Sequence, residues 1–225
     1  DAVHEIARTE ATKGQMTYLA GQAELLAGNT AAAHERFQTA ITNYPRAAES
    51  YYALVALLDA GVTVDEYQRG VVDYYAAAYQ PAIDALRRYL SAPADDYNKD
   101  AHLFLAWSYE GLGDAAGALA ELDALAEHEL ARALFERGEL LRRAGRQAEA
   151  LAAYDEYLEN HADTESAPGV AWTAASLAEE LGQADAIDRY RFLADKFPFA
   201  GNTPLALFCA AELLAAAGED NEALA

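Results

Sequence analysis

Residues 134–158, LFERGELLRRAGRQAEALAAYDEYL, decide the fold. Two amphipathic segments rich in alanine and leucine flank Gly145-Arg146. Glycine tolerates the left-handed backbone that closes a helix, and the polar residue after it can open the next one. Gly138 supplies a small site on the first segment, while Ala150, Tyr154 and Tyr157 share one face of the second. Small residues let two helices approach, and an aromatic side chain fills the gap between successive pairs. The stretch therefore reads as one helical hairpin.

The same hairpin recurs on both sides. Glycines follow amphipathic segments at Gly28, Gly61, Gly113, Gly145, Gly182 and Gly218, with gaps of 33, 52, 32, 37 and 36 residues. All but one gap lie close to a period of about 34 residues, and the gap of 52 holds an extra helical segment. The first unit places Ala20-Gly21 at the small site, Gly28-Asn29 at the turn, Ala33, Phe37 and Ala40 on the second helix, and Pro45 at its close. The third has Leu105-Ala106, Tyr109, Gly113-Asp114, Ala118, Leu122 and Leu125. The fifth has Trp172, Gly182 and Tyr190 and ends at Pro198, and the sixth begins with Leu207, Ala211, Leu214, Gly218 and Ala223.

These residues resemble tetratricopeptide repeats over nearly the whole chain, although Sel1-like or HEAT-type hairpins share the periodicity. No alternating strand signal of useful length competes. The expected fold is all-α, a right-handed α-α superhelix: a solenoid of antiparallel helix pairs over residues 1–225, with about six units. One unit near 46–94 is irregular. Its helix pair is expected around Tyr51–Ala60 and Asp65–Ala78, joined by the longer turn Val62-Thr63-Val64-Asp65, with Gln80-Pro81 opening the following helix. The last unit looks truncated, and arrays usually end in a polar capping helix, so the expectation is a chain that continues beyond Ala225.

Composition narrows the function classes. The 225 residues carry 16 Lys plus Arg against 37 Asp plus Glu, a formal net charge of -21. So acidic a surface repels phosphate backbones, and the basic pairs Arg87-Arg88 and Arg142-Arg143 read as solvated helix faces, so no nucleic-acid partner is expected. The longest apolar runs fall short of a spanning helix, so membrane insertion is not expected either. The single Cys209 can form no internal disulfide and lies in a core-like apolar stripe.

No self-contained active site emerges. The five histidines are dispersed, and His34-Glu35 lacks the second histidine of a zinc-binding helix. Gly111-Leu112-Gly113-Asp114-Ala115-Ala116 mimics a dinucleotide loop but follows a helix rather than a strand, so the repeat turn explains it. Acidic pairs such as Asp95-Asp96 and Glu179-Glu180 read as solvated faces or helix starts. No catalytic, cofactor-binding or metal-binding residue is expected, and no cofactor.

The segment Tyr44–Gly61, with Val64–Gly70 and Val72-Asp73-Tyr74-Tyr75, resembles the helical superhelix that precedes the catalytic domain of bacterial soluble lytic transglycosylases. That resemblance implies a non-catalytic scaffold in the cell envelope, beside a lysozyme-like domain that cleaves peptidoglycan. The family's catalytic signature is a Glu-Ser pair followed by Gly-Leu-Met-Gln. Neither Glu49-Ser50 nor Glu165-Ser166 is followed by that element, and the only methionine is Met16, so no catalytic residue carries over. Without the resemblance, the cytoplasm is the expected compartment.

In tetratricopeptide arrays the first helices of the pairs line a concave groove that holds extended peptides or partner helices. The repeat register puts Tyr18, Gln22 and Leu25, then Tyr51 and Val55, Leu103 and Trp107, Phe135, Glu139 and Arg142, and finally Trp172 and Ser176 on that face. Two roles follow from this pattern. One is a scaffold for a protein or peptide partner, basic in view of the net charge. The other is the accessory superhelix of a lytic transglycosylase, contacting a glycan or an attached catalytic domain.

Overall fold

The computed structural model describes residues 9–92 and 97–218. His4, the Asp95-Asp96 pair and Ala223 lie outside the described residues. Among those described, twelve α-helices and no strand occur. By internal packing the chain divides into two compact units, residues 1–121 and 122–225.

The first unit contains α1 (Glu10–Leu26), α2 (Thr30–Asn43), α3 (Ala48–Asp59), α4 (Glu66–Tyr75), α5 (Tyr79–Ser91) and α6 (Asp100–Gly111). Helix α7 (Ala115–Ala126) runs across the boundary. The second unit continues with α8 (Leu130–Arg143), α9 (Gln147–His161), α10 (Ala167–Glu180), α11 (Ala186–Lys196) and α12 (Thr203–Ala216).

The turns have one chemistry. All six turn glycines named from the period have φ between +65° and +82°. At Gly28 the amide donates to Leu25 O, and the next amide, Asn29, donates to Glu24 O at 2.8 Å. The same pair of bonds recurs at Gly61, Gly113, Gly145 and Gly182. These bonds satisfy carbonyls that the helix end leaves open, in the Schellman arrangement.

A further turn of this kind contains no glycine. Ala77 has φ +58°, its amide donates to Tyr74 O, and Ala78 donates to Asp73 O at 2.8 Å. It closes α4 and starts α5, and α4 packs far more extensively on α5 than on α3. This corrects the expected pairing of the irregular unit. The hairpin is α4–α5, which leaves α3 outside a hairpin of its own, and the long gap between Gly61 and Gly113 holds three helices, α4, α5 and α6. Alanine in the left-handed region is strained by about 1–2 kcal/mol. Ala77→Gly should therefore stabilise the chain by roughly 0.5–1 kcal/mol, after the greater freedom of glycine in the unfolded state is subtracted. Urea unfolding with an unshifted or lowered midpoint would count against the strained turn.

In three hairpins, α1–α2, α4–α5 and α8–α9, a glycine meets a large residue sixteen positions later. A Cβ added to Gly21 would lie 2.5 Å from Phe37 Cε1, one at Gly70 would lie 2.4 Å from Leu86 Cγ, and one at Gly138 would lie 2.3 Å from Tyr154 Cε1. In the first unit Phe37 belongs to a core cluster with Ala33, Ala40, Ile41, Leu54, Leu57 and Val72. In the second, Ala171, Ala175, Tyr190, Leu193, Ala206 and Ala210 form another, and Cys209 packs against its edge.

Hydroxyl clamps fasten helix starts to the helix before them. Ser50 Oγ donates to Tyr44 O at 2.7 Å and Ala40 O at 3.0 Å, and Thr203 Oγ1 donates to Phe197 O at 2.6 Å. Both hydroxyls sit six residues after the aromatic of an aromatic-proline pair, Tyr44-Pro45 and Phe197-Pro198. The Glu49-Ser50 pair is thus built into a junction, with its serine buried and committed to backbone carbonyls.

Candidate binding groove

Four of the residues expected on the groove face come together in the second unit. Glu139 and Arg142 on α8, and Trp172 and Ser176 on α10, line one cavity of about 410 Å³. Gln147 at the start of α9 completes it with Thr173, Leu177 and Glu180 of α10. The α10 residues follow from its period. Positions 172, 173, 176, 177 and 180 fall on one side of a helix that turns every 3.6 residues or so.

Glu139 organises this wall. Its Oε1 accepts from the Tyr154 hydroxyl at 2.7 Å, and its Oε2 accepts from Arg142 Nη2 at 2.9 Å, with Arg143 Nη1 at 3.7 Å. Burial by itself would push the Glu139 carboxyl up. The hydrogen bonds from Arg142 and Tyr154, and the charges of Arg142 and Arg143, outweigh it and hold the group below the ordinary carboxylate value. Tyr154 is fully buried beneath Gly138, and burial, followed by its bond to Glu139, holds its proton well above the usual phenol range. One aromatic side chain thus fills the space between helices and fixes a carboxylate at the groove wall.

The device recurs one unit further on. The Tyr190 hydroxyl donates to Glu179 Oε2 at 2.6 Å and lies 3.4 Å from Ser176 Oγ. Its ring supports Trp172, with centroids 5.6 Å apart. Trp172 and Ser176 are therefore held from below while half-exposed. The tyrosines that do this were recognisable as gap-filling aromatics, but their hydroxyl partners were not, because those partners sit on a different helix.

Phe135 lies on α8, 36% exposed, and is not among the cavity-lining residues. In the first unit the expected face is less uniform. Gln22 Nε2 donates to the Tyr18 hydroxyl at 2.7 Å, and the Tyr18 ring packs 5.5 Å from Phe37 and 6.0 Å from Tyr52. Tyr51 lies beside Tyr52, Val55 is exposed, and Leu25 is exposed. Leu103 is 0% exposed, so this position corrects the expectation: it is core and offers a ligand no surface. Trp107 joins an aromatic seam, 5.8 Å from Tyr74 and 5.3 Å from Phe104. Tyr75, also in the seam, carries Arg46, whose Nε donates to the phenol oxygen at 3.0 Å and whose guanidinium lies 5.1 Å from the ring centroid.

Among the described residues no group of three His, Cys, Asp or Glu side chains could hold a metal ion, and no helix is long and apolar enough to cross a membrane. His102 is engaged locally, with Nδ1 2.8 Å from Glu121 Oε2 and Nε2 3.3 Å from the Tyr97 hydroxyl.

Residues 132–164 match the family model of the tetratricopeptide repeat, and they cover all but the first two residues of the α8–α9 hairpin, with Gly138, Gly145 and Tyr154. With the repeated hairpins, this defines a tetratricopeptide-like helical-repeat protein. No curated protein matches the chain in sequence. Among solved structures it is similar to MamA AMB-1, at 19% identity over 72% of this chain and 92% of that one, with a TM-score of 0.47. It is also similar to YrrB, "a TPR protein with an unusual peptide-binding site", at 19% identity over 85% and 88% with a TM-score of 0.44. A third is the apo form of RapI, at 12% identity over 91% and 84% with a TM-score of 0.47.

Proposed function

We propose that this chain is a protein-interaction scaffold without catalysis of its own, and that its groove in the second unit holds an extended peptide segment of a partner. The observation that carries this reading is that Glu139, Arg142, Gln147, Trp172, Thr173 and Ser176 line one shared cavity. Its chemistry suits a peptide. Gln147, Thr173 and Ser176 offer hydrogen-bonding groups to a main chain, Trp172 offers a rigid apolar face at low entropic cost, and Arg142 offers a charge that fixes direction. The net charge of -21 favours a partner that is basic overall.

Peptides selected from a displayed random library against the full chain should bind in a way that changes tryptophan fluorescence. Thr173→Arg, which fills the cavity mouth from a half-exposed position, should weaken the selected peptides about tenfold or more. Equal binding by wild type and variant would reject the groove.

The accessory-superhelix reading has one feature in its favour, the aromatic seam of Tyr74, Tyr75, Phe104 and Trp107, since flat aromatic faces suit sugar rings. A Glu-Ser pair with a Gly-Leu-Met-Gln element encoded after Ala225 would support it, and further repeats there would support the scaffold reading.

A further inference from the structure

The second unit has another concave surface, on the far side of α10 from the groove. Ala171 and Ala174 of α10 form its floor with Leu158 of α9 and Phe192 of α11, in a cavity of about 320 Å³. At about 3.6 residues per turn, positions 171 and 174 point away from 172, 173, 176 and 180, so the two cavities use opposite faces of one helix. Phe192 is 41% exposed, supported edge-on by Phe197 at 6.1 Å. An aromatic side chain of that exposure beside an alanine floor is unused contact area.

The rim is acidic: Asp155, Glu159, Asp185 and Asp188 surround the floor, with one cation, Arg189. Arg189 shows what this rim accepts. Its Nη2 donates to Asp155 Oδ2 at 2.9 Å, its Nη1 also bonds Asp155, and its Nε donates to Asp185 Oδ2 at 2.8 Å. A guanidinium is thus already held by two of the four carboxylates. Glu159 and Asp188 make no hydrogen bond or ion pair among the described residues, so two carboxylates at the mouth of an apolar cavity are uncommitted.

We infer that this face is a second docking site, and that its occupant is a basic amphipathic protein segment: an apolar anchor seated against Leu158, Ala171, Ala174 and Phe192, with flanking lysine or arginine paired to Glu159 and Asp188. The charge complementarity decides the class. An acidic or neutral segment would leave both carboxylates facing it unpaired or repelled, whereas a basic one gains them in addition to the apolar contact. The groove and this face are independent, so a partner can engage either without the other.

The test uses the full chain and a fluorescein-labelled amphipathic peptide of leucine and lysine, followed by anisotropy at moderate salt, with a leucine–glutamate peptide as the counterpart. The leucine–lysine peptide should bind and the counterpart should not. Glu159→Lys combined with Asp188→Lys should weaken binding about tenfold or more, and Phe192→Ala should weaken it severalfold with little change in salt dependence. Helical melts of these surface variants should stay close to wild type. The control reverses two exposed carboxylates of the first unit, Glu35→Lys with Asp59→Lys, and should change affinity less than twofold. Equal weakening by the control would mean diffuse attraction to a chain of charge -21 and would overturn the site, as would unchanged affinity in Phe192→Ala. Loss of binding in Thr173→Arg alone would assign the peptide to the groove and also overturn it.

Discussion

Gly138→Leu should destabilise the second unit by at least about 3 kcal/mol, the upper end of what overpacking a core costs. The added Cβ alone would sit 2.3 Å from Tyr154 Cε1 and 2.7 Å from its Cδ1 and Cζ. The ring cannot retreat easily, because it is fully buried and its hydroxyl is tied to Glu139. The helices must separate or the ring must leave its hydrogen bond, which also loosens the carboxylate at the groove wall. Gly28→Ala makes a useful contrast. Nothing lies within 4 Å of the new Cβ there, but φ is +81°, so only the left-handed strain of about 1–2 kcal/mol is expected. Pairing Gly138→Ala with Tyr154→Leu should recover part of the loss, because residues in contact couple. A thermal melt of Gly138→Leu matching wild type would refute the packing assigned to this hairpin.

Asp73→Asn should have the opposite sign. Asp73 is 3% exposed on α4, and its Oδ2 lies 3.6 Å from Arg69 Nε, with neither atom hydrogen-bonded. Burial pushes its carboxyl up to about 6 from 3.8, although Arg69, and less strongly Arg88, oppose the rise. A folded value above the unfolded one means that the fold favours the neutral form. The stabilising contribution is complete below the unfolded value of 3.8 and is lost as pH rises through 6. At pH 7.5 the ionised aspartate therefore weighs against the fold, and asparagine should stabilise it by about 2 kcal/mol. At pH 3.5 the two chains should melt together. A difference that is constant across this window, or that grows toward acid, would show that the Asp73 carboxylate is not disfavoured by burial.

Legibility in the sequence followed the physics of each feature. The glycine turns could be read because a left-handed backbone position selects its residue strongly, and Gly28, Gly61, Gly113, Gly145, Gly182 and Gly218 all adopt it. Ala77 adopts it too but leaves no such mark, so α3 and α4 were paired where α4 and α5 form the hairpin. The core aromatics Phe37, Tyr154 and Tyr190 were legible from their spacing. For the groove, helical period located Glu139, Arg142, Trp172 and Ser176 on shared faces. It could not separate Leu103, which is covered by packing, from Trp107 four residues later, because both stand on one stripe of α6. The rim of Asp155, Glu159, Asp185 and Asp188 was hidden for another reason. In a chain with 37 acidic residues, carboxylates drawn from two helices become a cluster only when those helices are brought together.

The most direct measurement of the scaffold reading is amide hydrogen exchange of the full chain with and without a library-selected peptide. Slowed exchange should be confined to α8, the start of α9 and α10, the elements that supply Glu139, Arg142, Gln147, Trp172 and Ser176. Protection confined to the first unit or to α11 and α12, or none at saturating peptide, would contradict the assignment of the groove as the functional surface.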